Sequence, residues 1–199
     1  MDEITQVLFS AAVLLELIYV VLFVLTIKLP GFRFWPPPKV RSWQFFFSWL
    51  AAGLVVVSFL FIGLLDFDSF VLSPLRQRLP FAIIIFVMGS LIGSWAFFAF
   101  GLKNTIGVED KLVTGGPYRF TRNPQYIGDT LNIIGYMVLT NSWMIWIIAV
   151  LGVILNLLAP YTEEPWLEER YGERYREYKR RVPRFIGKIR KENVRPDPE

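Results

Sequence analysis

The chain has 199 residues, 54% of them hydrophobic, with 21 Lys and Arg against 17 Asp and Glu and a formal charge of +4. Its positive mean hydropathy is too high for an ordinary soluble domain and points to several membrane spans. With no Cys and no His, the chain lacks disulfides, thiolate nucleophiles, haem-type ligation and the usual zinc sites.

Any chemistry therefore rests on Arg, Lys, Tyr, Asp, Glu, Asn or a bound cofactor. The basic residues flank apolar segments, which suits anionic lipid headgroups and argues against nucleic acid.

A helix needs about 20 apolar residues to cross the hydrocarbon core. Ile4–Ile27 meets this, with Glu16 as one interruption. Its start carries Asp2 and Glu3 where a signal peptide would be basic, so it reads as a first span. The next stretch, Lys28–Arg41, is KLPGFRFWPPPKVR; its prolines end the helix and its aromatics suit the headgroup region. Trp43–Leu65 and Phe81–Leu102 read as the second and third spans. Gly89 and Gly93 in the third form a Gly-x-x-x-Gly pair, read as a helix-packing surface.

Lys103–Arg122 ends in a polar passage, and Gly115–Tyr126 reads GGPYRFTRNPQY. Gly115-Gly116-Pro117 signals a turn. Asn123-Pro124 signals a helix start, whose free N–H groups also suit an anion. Arg122 and Tyr126, four apart, share a face if helical geometry extends that far; Arg122 reads equally as a headgroup anchor. Two short apolar segments, Gln125–Leu139 and Trp143–Ala159, then read as a tight hairpin around Thr140-Asn141-Ser142. Glu163–Arg190 is charged, with Leu167, Tyr171, Tyr175, Tyr178 and Val182 at helical spacing, so an amphipathic helix is predicted.

The fold expected is an all-α membrane protein of about five transmembrane helices, the last two a short hairpin, plus a cytoplasmic amphipathic C-terminal helix. Three regions are expected: 1–102 as N-terminal membrane helices, 103–190 as the cofactor and catalytic region, and 191–199 as a tail. Nineteen of the 21 basic residues fall on one side of this topology, which places the N-terminus outside and both polar segments in the cytoplasm. The hairpin thus brings the polar passage and Glu163-Glu164 together. Among intramembrane polar residues, Glu16, Asp129, Asn132 and Asn156 are functional candidates because exposing them to lipid is costly. Asp129, three residues beyond Tyr126, stands closest to the polar passage, while Glu16 reads as an interhelical partner.

Gly116-Pro117-Tyr118, Arg122-Asn123-Pro124-Gln125-Tyr126, Glu163-Glu164, Tyr171-Gly172, Tyr175, Tyr178 and Val182-Pro183 follow one another around the hairpin. In this order and spacing the stretch from Lys103 to Phe185 resembles the isoprenylcysteine carboxyl methyltransferase family. The resemblance implies an integral-membrane enzyme using S-adenosylmethionine and releasing S-adenosylhomocysteine. It implies cofactor binding by Lys103, Leu112, Val113, Tyr118, Asn123, Pro124, Gln125, Tyr126 and Glu163. Two positions depart from the family: its His is Asn123, and an Arg linked to substrate carboxylate in some members is Ala159.

Methyl transfer to an ionised carboxylate needs no general base, so a chain without His can perform it. Arg122 is then the group expected to orient an anionic acceptor or the cofactor carboxylate, with Asp129 and Glu164 near the acceptor. A lipophilic acceptor reaching the site from the bilayer is expected, with no metal. The favoured acceptor is an isoprenylcysteine-like carboxylate. Amine methylation of a phospholipid is the alternative, calling for a base such as Asp129 or Glu164; a sterol-reductase-like enzyme and a non-enzymatic packing subunit or small transporter are further readings.

Overall fold

The computed structural model describes residues 3–70, 73–101, 104 and 111–189. Lys103 and the expected tail at 191–199 lie outside them. The described chain is helical, with α1 over Glu3–Lys28, α2 over Trp43–Leu65 and α3 over Leu75–Phe100. A single 3-10 turn at Gly116–Arg119 precedes α4 over Pro124–Thr140, α5 over Trp143–Tyr171 and α6 over Glu173–Arg181. Among the described residues four helices are long and apolar enough to cross a membrane: α1, α2, α3 and α5. Leu14, Leu54, Phe61, Ile84, Leu91 and Phe98 are exposed on the first three, as a lipid-facing surface requires.

The five helices α1–α5 follow the expected order, and at 17 residues α4 is short of a full span, as expected of the hairpin. The helix ends differ from the sequence reading. The apolar segment from Trp143 does not stop at Ala159. It runs through Pro160 and Pro165 to Tyr171. Each proline removes a backbone bond, at about 3 kcal/mol in a helix interior, but Ala159, Pro160, Thr162 and Glu164 are buried along this stretch. The Thr162 hydroxyl also donates to Ala159 O at 2.7 Å. The third span starts earlier than predicted, at Leu75, so Arg76 and Arg78 lie within α3.

The predicted C-terminal helix is broken at Gly172, whose φ of +57° favours glycine. Tyr175, Tyr178 and Val182 are buried with Leu112, Leu167 and Tyr171 packed around them. The apolar stripe therefore covers the protein's own polar passage.

The most extensive helix pairing is α3 on α4. A Cβ on Gly128 would stand 2.6 Å from Gly93 N and 2.9 Å from Gly89 O, so these backbones touch. Gly89 and Gly93 are thus packing residues, as expected.

At one end of the bundle, Asn141 and Ser142 in the α4–α5 turn meet the segment after α2. Asn141 Nδ2 donates to Asp68 Oδ1 (2.6 Å) and Phe70 O (2.7 Å), and Ser142 donates to Asp66 Oδ2 (2.6 Å). Arg78 closes the cluster on Asp68 at 2.9 Å. The opposite end gathers the 29–42 segment, the polar passage and the end of α5.

Candidate active site

The gathered segments enclose a cavity of about 900 Å³, within the usual range for small-molecule sites. Eleven sequence-predicted residues line it: Leu112, Val113, Tyr118, Arg122, Asn123, Gln125, Tyr126, Asp129, Asn132, Glu163 and Glu164. Pro124 is buried at the first position of α4 behind them.

The two adjacent glutamates take different partners. Glu163 Oε1 accepts from the Tyr126 hydroxyl at 2.5 Å and from Trp35 Nε1 at 2.6 Å. Among the described residues both its hydrogen bonds fall on Oε1, leaving Oε2 for a ligand. Glu164 is instead embraced by arginines. Arg122 Nη2 reaches Oε1 at 2.6 Å, while Arg184 donates to Oε1 at 2.8 Å and to Oε2 at 2.7 Å. The Arg184 guanidinium also stacks 3.8 Å from the Tyr161 ring centroid.

Arg122 and Tyr126 accordingly point to different glutamates, because Arg122 lies before α4 begins. Arg122 Nη1 further donates to Lys179 O (2.9 Å) and Val182 O (3.1 Å), and its backbone N–H to Pro183 O (2.9 Å). Asn123 occupies the N-cap position, but its side chain makes no capping bond. Its Nδ2 reaches across to Arg184 O at 2.9 Å, and Thr121 Oγ1 donates to the same carbonyl at 3.0 Å. The polar passage thus holds the chain after α6 by its backbone carbonyls.

Asp129 faces the cavity in a different state. Among the described residues it accepts no hydrogen bond and pairs with no cation, and it is solvent-accessible. One turn along, Asn132 Oδ1 accepts from Ser90 at 3.1 Å. Burial raises the Tyr118 phenol well above its ordinary range, with the Glu163 charge adding to it; burial also raises Tyr175 and Tyr178. All three remain neutral donors at physiological pH, and Tyr178 donates to Tyr118 O at 2.7 Å.

Sequence reasoning missed Trp35, Arg33, Lys39 and Arg184. Trp35 and the cationic Arg33 and Lys39 line the cavity from the proline-rich segment, and the buried Arg33 Nε has no partner among the described residues. The available signal was a Trp and two cations packed into one proline-punctuated passage.

Residues 78–174 match the family model of phospholipid methyltransferases. The chain is 31% identical over 116 residues to phosphatidylethanolamine N-methyltransferase B of Dictyostelium discoideum, a match covering 55% of this chain and 58% of that protein. It is also 31% identical over 146 residues to the cobalt-zinc-cadmium resistance protein CzcN of Cupriavidus metallidurans, covering 71% of this chain and 62% of that one. The chain thus spans about three fifths of the length of these relatives. No solved structure matches it significantly. The stretch that matches the phospholipid methyltransferase family, from Arg78 to Arg174, is the one that contributes Tyr126, Asp129, Glu163 and Glu164 to the cavity.

Proposed function

We propose that the chain is an integral-membrane methyltransferase carrying a methyl group from S-adenosylmethionine to the amine of a phosphatidylethanolamine-type lipid. The observation that carries this reading is Asp129, a cavity carboxylate with no donor or cation beside it among the described residues. An ammonium acceptor needs such a group twice, as counter-charge and then as base. Glu164, the other carboxylate considered for that role, is held between Arg122 and Arg184. The family match over 78–174 supports the same chemistry.

S-adenosylmethionine supplies a methyl group on a sulfonium. Glu163 Oε2 takes its amino or ribose groups, with Oε1 fixed by Tyr126 and Trp35. Leu112, Val113, Tyr118, Asn123 and Gln125 complete the cofactor wall, with Pro124 buried behind it. The cavity's aromatic faces favour a cationic sulfur. Arg33 and Lys39 take the lipid phosphate. The acceptor's ammonium gives its proton to Asp129. The nitrogen lone pair forms the new N–C bond as the C–S bond breaks, its electrons staying on sulfur in S-adenosylhomocysteine.

The carboxyl-acceptor reading has less support. Arg122, the cation meant to orient that acceptor, is spent on Glu164 and two carbonyls, and Ala159 supplies no second one. Arg122 therefore serves as a positioning residue. The site lies on the side rich in Lys and Arg, which we assign to the cytoplasm.

The test is reconstitution in vesicles containing phosphatidylethanolamine, with methyl-labelled S-adenosylmethionine. Label should appear on the lipid amine and be lost in Asp129→Asn while cofactor binding persists. With an isoprenylcysteine added as a competing acceptor, label released by mild base as its carboxyl methyl ester, and none on the lipid amine, would overturn the amine reading. A folded protein that does not bind the cofactor would overturn both.

A further inference from the structure

Beside the main cavity lies a second, smaller one of about 240 Å³, between α1, α2, α4 and α5. Trp35, Trp49 and Tyr126 line both, so the two share a wall. The smaller one is apolar apart from a few groups, among them Glu16 and Asn156. Glu16 is only 3% exposed, and its Oε2 has no hydrogen-bond partner among the described residues. Asn156 is tied through Nδ2 to Thr130 Oγ1 at 3.1 Å. An interhelical hydrogen bond, the role expected of Glu16, is therefore not what engages Oε2.

A lone carboxyl group among hydrocarbon is costly, and costly intramembrane polar groups mark functional sites. Hydrocarbon favours the uncharged acid over the carboxylate, and the acid form carries an O–H donor. The occupant that fits is a lipophilic molecule bearing a buried hydrogen-bond acceptor.

Its depth narrows the choice. A Cβ on Gly152 would lie 3.3 Å from Ile133 Cδ1 and 3.4 Å from Glu16 Oε1, which sets Glu16 beside Ile133. Ile133 follows Asp129 by four residues on α4, a rise of about 6 Å. Glu16 thus sits about one helical turn further from the polar end than the carboxylate assigned to the amine. In a glycerophospholipid, the group about one headgroup away from the amine is the acyl ester.

We propose that this slot holds the ester-bearing glycerol region of the acceptor lipid, with Glu16 as the donor to an ester carbonyl. The inference rests on the amine-methylation reading for the identity of the lipid. The chain then measures its acceptor at two points, the amine at Asp129 and the ester at Glu16. Ether-linked lipids, which have the same headgroup and chains but no carbonyl, should bind less well.

The test is native mass spectrometry of the purified full chain, offered equal diester and diether phosphatidylethanolamine. The wild type should retain the diester about five- to tenfold better, the effect of one neutral hydrogen bond. Glu16→Leu should remove the preference, and Glu16→Gln, which keeps a donor, should preserve most of it. Equal retention of the two lipids by the wild type would overturn the proposal without recourse to any variant. So would a preference that survives in Glu16→Leu. Vesicle turnover with the same lipids separates the two ideas: a diester preference in retention without N-methylation supports the slot and rejects the methyl-transfer reading.

Discussion

The Tyr126 hydroxyl donates to Glu163 Oε1 across 2.5 Å, joining the start of α4 to the polar end of α5 at the cavity wall. Trp35 Nε1 lands on the same oxygen from the segment between α1 and α2. Three chain segments thus fix one carboxylate whose other oxygen is left for a ligand. Tyr126→Phe removes one of those two donors and leaves the ring. We expect S-adenosylmethionine binding to weaken about five- to twentyfold, in line with one hydrogen bond to a charged group, with a modest fall in Tm because the same bond ties α4 to α5. Calorimetric titration of the detergent-purified protein measures it.

Glu164 belongs to stability before chemistry. Its side chain is 6% exposed and that of Arg122 8%, so Glu164→Gln leaves a buried guanidinium without its counter-charge. Loss of one partner of such a pair costs about 3–5 kcal/mol. A fall in Tm should accompany the substitution, and Arg184→Ala should lower Tm less, because Arg184 is more exposed. In the double variant the losses should be less than additive, since both residues belong to one network.

Gly128 and Gly93 touch, yet they should respond unequally to a methyl group. A Cβ at Gly128 meets backbone atoms at 2.6 to 2.9 Å, whereas one at Gly93 finds nothing nearer than 3.9 Å. Gly128→Ala should force α3 from α4 and destabilise by about 1–3 kcal/mol; Gly93→Ala should be close to neutral. Paired thermal melts decide it.

The cluster at the other end of the bundle is pH-sensitive. The Asn141 amide, with Arg78 alongside, holds the Asp68 carboxyl below its ordinary value of 3.8. A depressed folded pKa means the contribution is complete above the ordinary carboxyl range and is lost as pH falls from there through the depressed folded value. Asp68→Asn should therefore lower Tm at neutral pH and flatten the decline of Tm below about pH 4. A wild-type acid limb that persists unchanged in the variant would contradict this.

Much of this arrangement is legible in the sequence. Apolar run length fixes α1, α2 and the body of α3, and the polar passage and Glu163-Glu164 are joined across a hairpin as its three-residue turn implies. The rest depends on contacts that leave no periodic trace. Trp35 sits in a proline-punctuated segment, where spacing says nothing of which carboxylate its indole will reach. Arg122 looks free as a sequence position, and only the return of the chain past Val182 shows that its hydrogen bonds go to the protein. The continuation of α5 beyond Pro160 follows from burial of one face, which outweighs the lost backbone bonds and which a helix-breaking residue conceals.

The seam between the polar passage and the chain after α6 has a consequence for how the protein tolerates change. Arg122, Asn123 and Thr121 all grip main-chain oxygens, at Lys179, Val182, Pro183 and Arg184. Every residue carries such an oxygen, so identity at positions 182 and 183 matters little to this grip while register matters greatly. Substitution at Pro183 can pass almost silently there, whereas inserting or deleting one residue between Tyr178 and Arg184 would move every carbonyl out from under its donor. The seam reads chain length as a ruler reads distance.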